Sequence, residues 1–290
     1  MNTVSILVDH NPNDVVIASL REGIVGFNSK FLHEKASQFI ITAKNNKNDI
    51  VGGATIWEHS DALYIDILWV EENYRGKGVG SRLINAIVEQ AKLKNIKKLF
   101  VDTYDFQASG FYIKHGFFII GRLDNYLLGH DRIYLRMDIE ISGAEMVPSS
   151  ISDDQIYIEE NFCDTIANYL ATELKRYNKS IVGHYQRKPY AIYIKLKSGE
   201  IIAGIKGDVF ERICSVHLMW VHENYRQQGF GKKIMLKLDK YATKKGCKFI
   251  QLDTVAFQAK DFYEKLGFHT IATLPEGFMG HDQYIMRKIL

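Results

Sequence analysis

The sequence has few cysteines, no long apolar run and little net charge, and each of these features excludes a class of protein. The three cysteines, at 163, 214 and 247, are odd in number and lie in the second half, so a disulfide framework is not expected and a reducing cytoplasm fits. No run approaches the roughly 18 apolar residues of a membrane-spanning helix, so no membrane partner is expected. The first ten residues lack a basic region and Asp9 ends their apolar run, so no signal peptide is expected.

The charge balance argues against a nucleic-acid partner. The net charge is only +3, and no block of lysine or arginine concentrates it. An apolar share of 46% is typical of a globular protein, and 290 residues correspond to about two domains.

One stretch of the sequence occurs twice. Trp69–Arg82 contains the run Asn-Tyr-Arg-Gly-Lys-Gly-Val-Gly, and Trp220–Gly231 repeats its pattern, with Arg226 lying 151 positions after Arg75. The same offset relates other pairs: Asp102-Thr103 to Asp253-Thr254, Phe111-Tyr112 to Phe262-Tyr263 and Gly116-Phe117 to Gly267-Phe268. Solenoid repeats are only about 20–50 residues long. The sequence therefore predicts two copies of a whole domain, at residues 1–143 and 152–290, joined by a linker at residues 144–151.

Each copy reads as strands interleaved irregularly with helices. A first strand and a helix lead into two strands joined by a polar turn, and the third strand (63–70 in the first copy) precedes the repeated stretch. An amphipathic helix, a buried strand, a short helix and two closing strands follow. The pattern predicts an α/β (α+β) protein, each copy a mixed, mostly antiparallel sheet with helices on both faces.

The repeated stretch is typical of an anion-binding turn. Gly76, Gly78 and Gly80 lie between a strand and a helix, where glycine permits positive φ and the first helical N–H groups lack partners. A P-loop requires Gly-Lys-Ser/Thr, but Ser81-Arg82 follows Gly80. A dinucleotide fingerprint requires Gly-x-Gly-x-x-Gly, which this spacing also fails. A nucleotide-binding protein is therefore disfavoured.

The chain resembles the GNAT (GCN5-related) N-acetyltransferases in tandem. Arg75-x-x-Gly78-x-Gly80 and Arg226-x-x-Gly229-x-Gly231 are similar to the acetyl-coenzyme A motif of that family, and the Phe-Tyr…Gly-Phe pairs at 111–117 and 262–268 to its last motif. The resemblance implies acetyl transfer from acetyl-CoA to an amine by direct attack in a ternary complex. It also implies two sets of cofactor-binding residues: Leu68, Trp69, Val70, Arg75, Gly76, Lys77, Gly78, Val79, Gly80 and Ser81, and Met219, Trp220, Val221, Arg226, Gln227, Gln228, Gly229, Phe230, Gly231 and Lys232.

The resemblance also implies catalytic roles. Tyr112 and Tyr263 match the tyrosine that protonates the leaving CoA thiolate, and the alternative is that each is a packing tyrosine. Asp66 and His217 occupy one position inside the third strand of each copy, and either can take a proton from the acceptor amine. The alternative is a solvated strand residue. His130 and His281, each in a Gly-His-Asp loop, either face the acceptor or belong to a turn with an Asx-type bond, and the second interpretation is favoured.

Several matters stay open. The acceptor is a small-molecule or peptide amine, and the chain is a monomer, as an internal pseudo-dimer, or a homodimer. The scattered histidines predict no metal site. Alternatives to a doubly active enzyme are a non-catalytic CoA-binding sensor or scaffold, and a chain with only one active half.

Overall fold

A computed structural model describes residues 4–32, 36–141, 155–159 and 161–290, so the predicted linker 144–151 lies outside the described residues. The first copy contains β1 (Val4–Asp9), α1 (Asp14–Asn28), β2 (Ser37–Lys44), β3 (Ile50–His59), β4 (Ala62–Val70), α2 (Val79–Leu93), β5 (Lys98–Tyr104), α3 (Ser109–Lys114), β6 (Phe118–Leu127) and β7 (His130–Asp138). The second contains β8 (Gln155–Glu159), α4 (Asp164–Val182), β9 (Lys188–Leu196), β10 (Ile201–Phe210), β11 (Ile213–Val221), α5 (Phe230–Lys244), β12 (Phe249–Val255), α6 (Lys260–Glu264), β13 (His269–Phe278) and β14 (His281–Ile289). Across the described ranges, no helix combines the length and apolarity needed to cross a membrane.

Two seven-stranded sheets of the same order organise these elements. One runs β8-β2-β3-β4-β5-β7-β6 and the other β1-β9-β10-β11-β12-β14-β13. In the first sheet only β4 and β5 are parallel, and in the second β11 and β12 are parallel. The predicted fold class, a mixed and mostly antiparallel sheet with helices, is confirmed.

The two copies exchange their first strand and helix. β1 of the first copy pairs with β9 of the second, and β8 of the second pairs with β2 of the first. The chain accordingly divides into two compact units, each of which contains segments from both copies. The β4 unit comprises Glu34–His184 and Ala272–Gln283. The β11 unit comprises Met1–His33, Tyr185–Ile271 and Tyr284–Leu290.

Helix α1 begins at Asp14, with Asn13 as its cap. The side chain of Asn13 accepts a hydrogen bond from the Val16 N–H, which satisfies one of the unpaired donors of the first turn. Val16 and Leu20 face inward and form an apolar cluster with Ala191 of β9. In the β4 unit, Leu170 of α4 packs in the same way with Ile40 of β2. We call α1 and α4 the exchanged helices.

Helices cover both faces of each sheet, as predicted. In the β4 unit, Ile41 of β2 packs with Leu83 of α2, whereas the neighbouring Ile40 packs with Leu170 of α4. Successive side chains of a strand point to opposite faces, so these two clusters lie on opposite sides of the sheet.

The parallel strands separate before they end. The ladder between β4 and β5 stops at Ile65 and Val101, although β4 continues to Val70. The ladder between β11 and β12 stops at Val216 and Leu252. In both cases the strand continues toward the glycine-rich turn, which leaves an opening beside it.

Candidate active site

The opening beside β4 is a cavity of about 500 Å³ within the β4 unit. Its walls come from β4, the glycine-rich turn, β5, α3 and the exchanged helix α4. Ten predicted site residues line it: Asp66, Leu68, Trp69, Val70, Arg75, Gly76, Gly78, Gly80, Ser81 and Tyr112. Lys77 and Val79 do not line it, and Val79 is only 1% exposed because it packs into the core below α2.

The glycine-rich turn has the backbone geometry of an anion-binding loop. Gly78 is the N-cap of α2 with φ +83°, Gly76 has φ +72°, and no side chain caps this helix. The N–H of Arg82 is the first to bond within the helix, to the carbonyl of Gly78 at 3.0 Å. The preceding N–H groups are therefore available to a ligand at the positive end of the helix dipole.

Gly80 also makes room for an aromatic side chain. A Cβ added at Gly80 would lie 3.1 Å from Cζ of Phe111, and one at Gly231 would lie 3.3 Å from Cζ of Phe262. The last glycine of the motif therefore lets α3 pack close to the start of α2. Phe111 immediately precedes Tyr112, so this contact helps to place the tyrosine.

A β-bulge directs Asp66 to the cavity. Thr55 of β3 pairs with Ile67 and Ile56 pairs with Ile65, so Asp66 is the extra residue between them. A bulge breaks the alternation of a strand and re-aims a side chain. The carboxylate is accessible from the cavity. Partial burial, followed by the charge of Asp102, raises the pKa of Asp66, while the charge of Arg132 opposes this shift.

Asp102 lies on the neighbouring strand, β5, and holds a half-buried cation, Arg132. Arg132 Nε donates to Asp102 Oδ2 at 2.6 Å, and the Tyr64 hydroxyl donates to Asp102 Oδ1. Burial by itself would raise the pKa of Asp102. The charge and hydrogen bond of Arg132, with the hydrogen bond of Tyr64, outweigh burial and hold that pKa below its usual range. Asp102 therefore stays ionised beside Asp66.

Tyr112 is a neutral phenol at the end of the same cavity. Its side chain is 5% exposed, and burial, followed by the charge of Asp102, raises its pKa above the usual value of 10.0. The hydroxyl therefore keeps its proton at neutral pH and can donate it.

The β11 unit has a second cavity, of about 650 Å³. Its lining includes these predicted residues: Met219, Trp220, Val221, Arg226, Gln227, Gly229, Phe230, Gly231, Lys232 and Tyr263. Gly229 has φ +80°, and Gln227 takes φ +61° where the first copy has a glycine. Gln228 does not line this cavity, and its side chain instead donates to the carbonyl of Asn224 at 2.8 Å.

The chemistry of the two cavities differs. No acidic side chain is among the residues described as lining the β11 cavity, whereas Asp66 and Asp102 line the β4 cavity. Burial, then the charge of Asp253, raises the pKa of Tyr263, and its hydroxyl donates to Met219 Sδ at 3.3 Å. In the first copy the position of Met219 is occupied by Leu68, whose side chain has no sulfur to accept such a hydrogen bond.

His217 occupies the second bulge but does not line the β11 cavity. Lys206 pairs with Leu218 and Gly207 with Val216, so His217 is the extra residue of β11. Its Nε2 lies 3.2 Å from Asp208 Oδ2, and its side chain is 51% exposed. Asp66 and His217 therefore occupy equivalent backbone positions, but their side chains have different surroundings.

Sequence reasoning missed several residues of these sites. Asp102, like Asp66, is a carboxylate inside an apolar strand, but no role was predicted for it from the sequence. Gln107 and Tyr177 also line the β4 cavity, and the glutamine recurs as Gln258 in the second copy. His130 does not line the β4 cavity, and its Nδ1 lies 2.8 Å from Asp105 Oδ1.

Comparisons with known proteins agree with this architecture. The profile described as "Acetyltransferase (GNAT) family" matches residues 9–117 and 155–268, well over half of the chain. The Blasticidin-S acetyltransferase of Streptomyces morookaense is 30% identical over 102 residues, which are 35% of this chain and 75% of that protein. Acetyltransferase Atu2258 of Agrobacterium fabrum is 28% identical over 106 residues, which are 36% of this chain and 77% of that protein.

A solved structure of an acetyltransferase from Bacillus cereus ATCC 14579 is 27% identical, with a TM-score of 0.41, and the match covers 45% of this chain and 96% of that one. The double match to the family profile confirms the resemblance seen in the sequence and, because members of that family use acetyl-CoA, the predicted cofactor. The chain belongs to the GNAT acetyltransferase family and is an acyltransferase.

Proposed function

We propose that the protein is an N-acetyltransferase that moves the acetyl group of acetyl-CoA to a primary amine, and that the β4 cavity is its active site. One observation carries this assignment: Asp66, Tyr112 and most residues of the turn from Arg75 to Ser81 line a single cavity. A base, an acid and an anion-binding turn are the groups that direct acetyl transfer requires.

Asp66 is the proposed general base. An amine with a pKa near 10.4 is neutral in only about 10⁻³·⁴ of molecules at pH 7, so attack requires loss of a proton. A carboxylate with a raised pKa accepts that proton more readily than an ordinary one. The charge of Asp102 contributes to that raised pKa, and its partner Arg132 offsets part of the effect.

Backbone groups and Tyr112 complete the proposed mechanism. Acetyl-CoA supplies the acetyl thioester. N–H groups of β4 near Leu68, on the stretch released from β5, stabilise charge on the thioester oxygen during attack. Tyr112 donates its phenolic proton to the departing thiolate. The open N–H groups of the glycine-rich turn, with Arg75, bind the diphosphate.

The test measures thiol release from acetyl-CoA with a panel of amines, and mass spectrometry identifies the acetylated product. Blasticidin S belongs in the panel because one relative is named for it. Asp66→Asn and Tyr112→Phe should each lower kcat by about 10²-fold or more. Asp61→Asn is the matched control, because Asp61 is exposed in the turn between β3 and β4 and does not line the cavity. Full activity in both site variants would refute the assignment.

For the β11 cavity we propose CoA binding without transfer. The turn geometry supports binding, and the lack of an acidic residue among the described lining residues disfavours a base. The chain should then bind two CoA molecules. Gly78→Val should abolish turnover and leave one bound CoA, whereas Gly229→Val should leave turnover intact. Loss of turnover in Gly229→Val would assign catalysis to the β11 unit.

A further inference from the structure

In each unit, the aromatic ring against the motif arginine comes from an exchanged helix. The guanidinium of Arg75 lies over the ring of Tyr177 of α4, 4.6 Å from its centre. The guanidinium of Arg226 lies over the ring of Phe27 of α1, 4.4 Å from its centre. Residue 177 is encoded in the second copy and residue 27 in the first, so each arginine is contacted by the copy to which it does not belong.

Each arginine is also fixed from the strand side. Arg75 Nε donates to the carbonyl of Val70 at 3.0 Å, and Arg226 Nε donates to that of Val221 at 2.9 Å. A guanidinium has five N–H donors, so the outer nitrogens remain available when Nε is engaged. The ring and the carbonyl together fix the plane in which those nitrogens lie, beside the glycine-rich turn.

The next residue of each exchanged helix contacts the opposite wall of the cavity. Asn178 Oδ1 accepts a hydrogen bond from Gln107 Nε2 at 2.7 Å, and Asn28 Oδ1 accepts one from Gln258 Nε2 at 3.1 Å. Gln107 Oε1 in turn accepts from the Tyr104 N–H at 2.9 Å. This glutamine therefore holds the turn that leads into α3 and its tyrosine.

We propose that the aromatic–asparagine pairs Tyr177-Asn178 and Phe27-Asn28 are positioning residues for the cofactor site encoded in the other copy. Each pair orients the motif arginine toward the diphosphate and fixes the turn before the tyrosine helix. Each site is consequently assembled from both copies. This inference rests on the proposed use of acetyl-CoA.

The test is a crossed CoA titration by calorimetry on the full chain. The Gly229→Val variant should bind CoA only at the β4 site. Adding Tyr177→Leu to it should weaken that binding roughly two- to fivefold, the range expected for loss of a cation–π contact. Gly78→Val leaves the β11 site, and adding Phe27→Leu should weaken binding there by a similar factor. Tyr177→Phe in the first background should restore affinity, because the ring makes the contact and phenylalanine already serves at position 27.

A control on the same helix separates positioning from packing. Ile181 of α4 is 49% exposed and does not line the cavity, so Ile181→Ala should leave CoA affinity unchanged. Thermal melting of every variant reports whether the chain is folded. If Tyr177→Phe fails to restore the affinity lost in Tyr177→Leu, or if Tyr177→Leu weakens the site that remains in Gly78→Val, the inference is overturned. If the unmodified chain binds no CoA, the proposed function fails as well.

Discussion

Leu20 of α1 fills the space above Gly204 of β10, where an added Cβ would lie 2.6 Å from Leu20 Cδ2. Leu170 of α4 meets Gly53 of β3 in the same way, at 2.9 Å. Both leucines are completely buried. In each exchanged helix, a leucine therefore packs against a strand glycine, whose lack of a side chain makes room for it.

Gly204→Ala should destabilise the protein by about 1–3 kcal/mol, because the new methyl group overlaps Leu20 in a packed core. The measurement is the midpoint of urea unfolding. Gly26→Ala is the matched control on α1, since an added Cβ there meets nothing within 4 Å and alanine favours a helix interior. It should stabilise by roughly 0.5–1 kcal/mol. Equal effects of the two changes would contradict the close contact of α1 with β10.

Asp66→Asn should lower activity and raise stability at pH 7. The folded pKa of Asp66 lies above the unfolded value near 3.8, so folding favours the protonated form. The stabilisation from that proton is fully present below the unfolded pKa and is lost as the pH rises through the folded pKa. Asparagine, which stays neutral, avoids this loss. Melting temperatures of both proteins between pH 3 and 8 check the prediction, and they should converge at acid pH.

Asp102→Asn should cost about 1–3 kcal/mol of stability at neutral pH, because it leaves the half-buried charge of Arg132 without its carboxylate. The pKa of Asp102 is depressed, so its stabilising effect is present above the unfolded value near 3.8 and is lost as the pH falls through the folded pKa. Urea unfolding at several pH values should show the difference between the proteins shrinking with acid. A difference that grows instead would mean that Asp102 is not the paired carboxylate.

Gln227→Gly should stabilise the protein by up to about 1 kcal/mol, because Gln227 adopts a left-handed φ of +61° that glycine takes without strain. CoA affinity of the β11 site, measured in the Gly78→Val background, should stay within about twofold, since the turn keeps its shape. Gln228→Gly is the control, because Gln228 is absent from the residues with positive φ. A larger gain from the control would show that strain is not the cause.

Much of the fold was readable from the sequence. The fixed offset between Arg75 and Arg226 predicted two equivalent domains, and the structure has two sheets of the same strand order. The glycine spacing predicted a turn with positive φ before each central helix, and Gly78 and Gly229 adopt it. These features are local: each depends on residues that are neighbours in the chain.

The composition of each site was not readable, because the residues concerned are distant in the sequence. Asp66 and His217 occupy equivalent bulges in the two copies. Only the fold places Asp102 near Asp66 and Asp208 beside His217. Tyr177 lies about a hundred positions from Arg75, and nothing in its local pattern indicates an arginine as its partner.

By itself the sequence determined the repeat, the family motif and the amphipathic face of each helix. Only the tertiary structure decided which sheet each first helix covers. Leu20 matches Leu170 and Gly53 matches Gly204, so pairing a helix with either copy would satisfy the same local contacts. Two nearly equivalent arrangements cannot be separated by local pattern, and the exchange that combines Arg75 with Tyr177 is therefore a property of the folded chain.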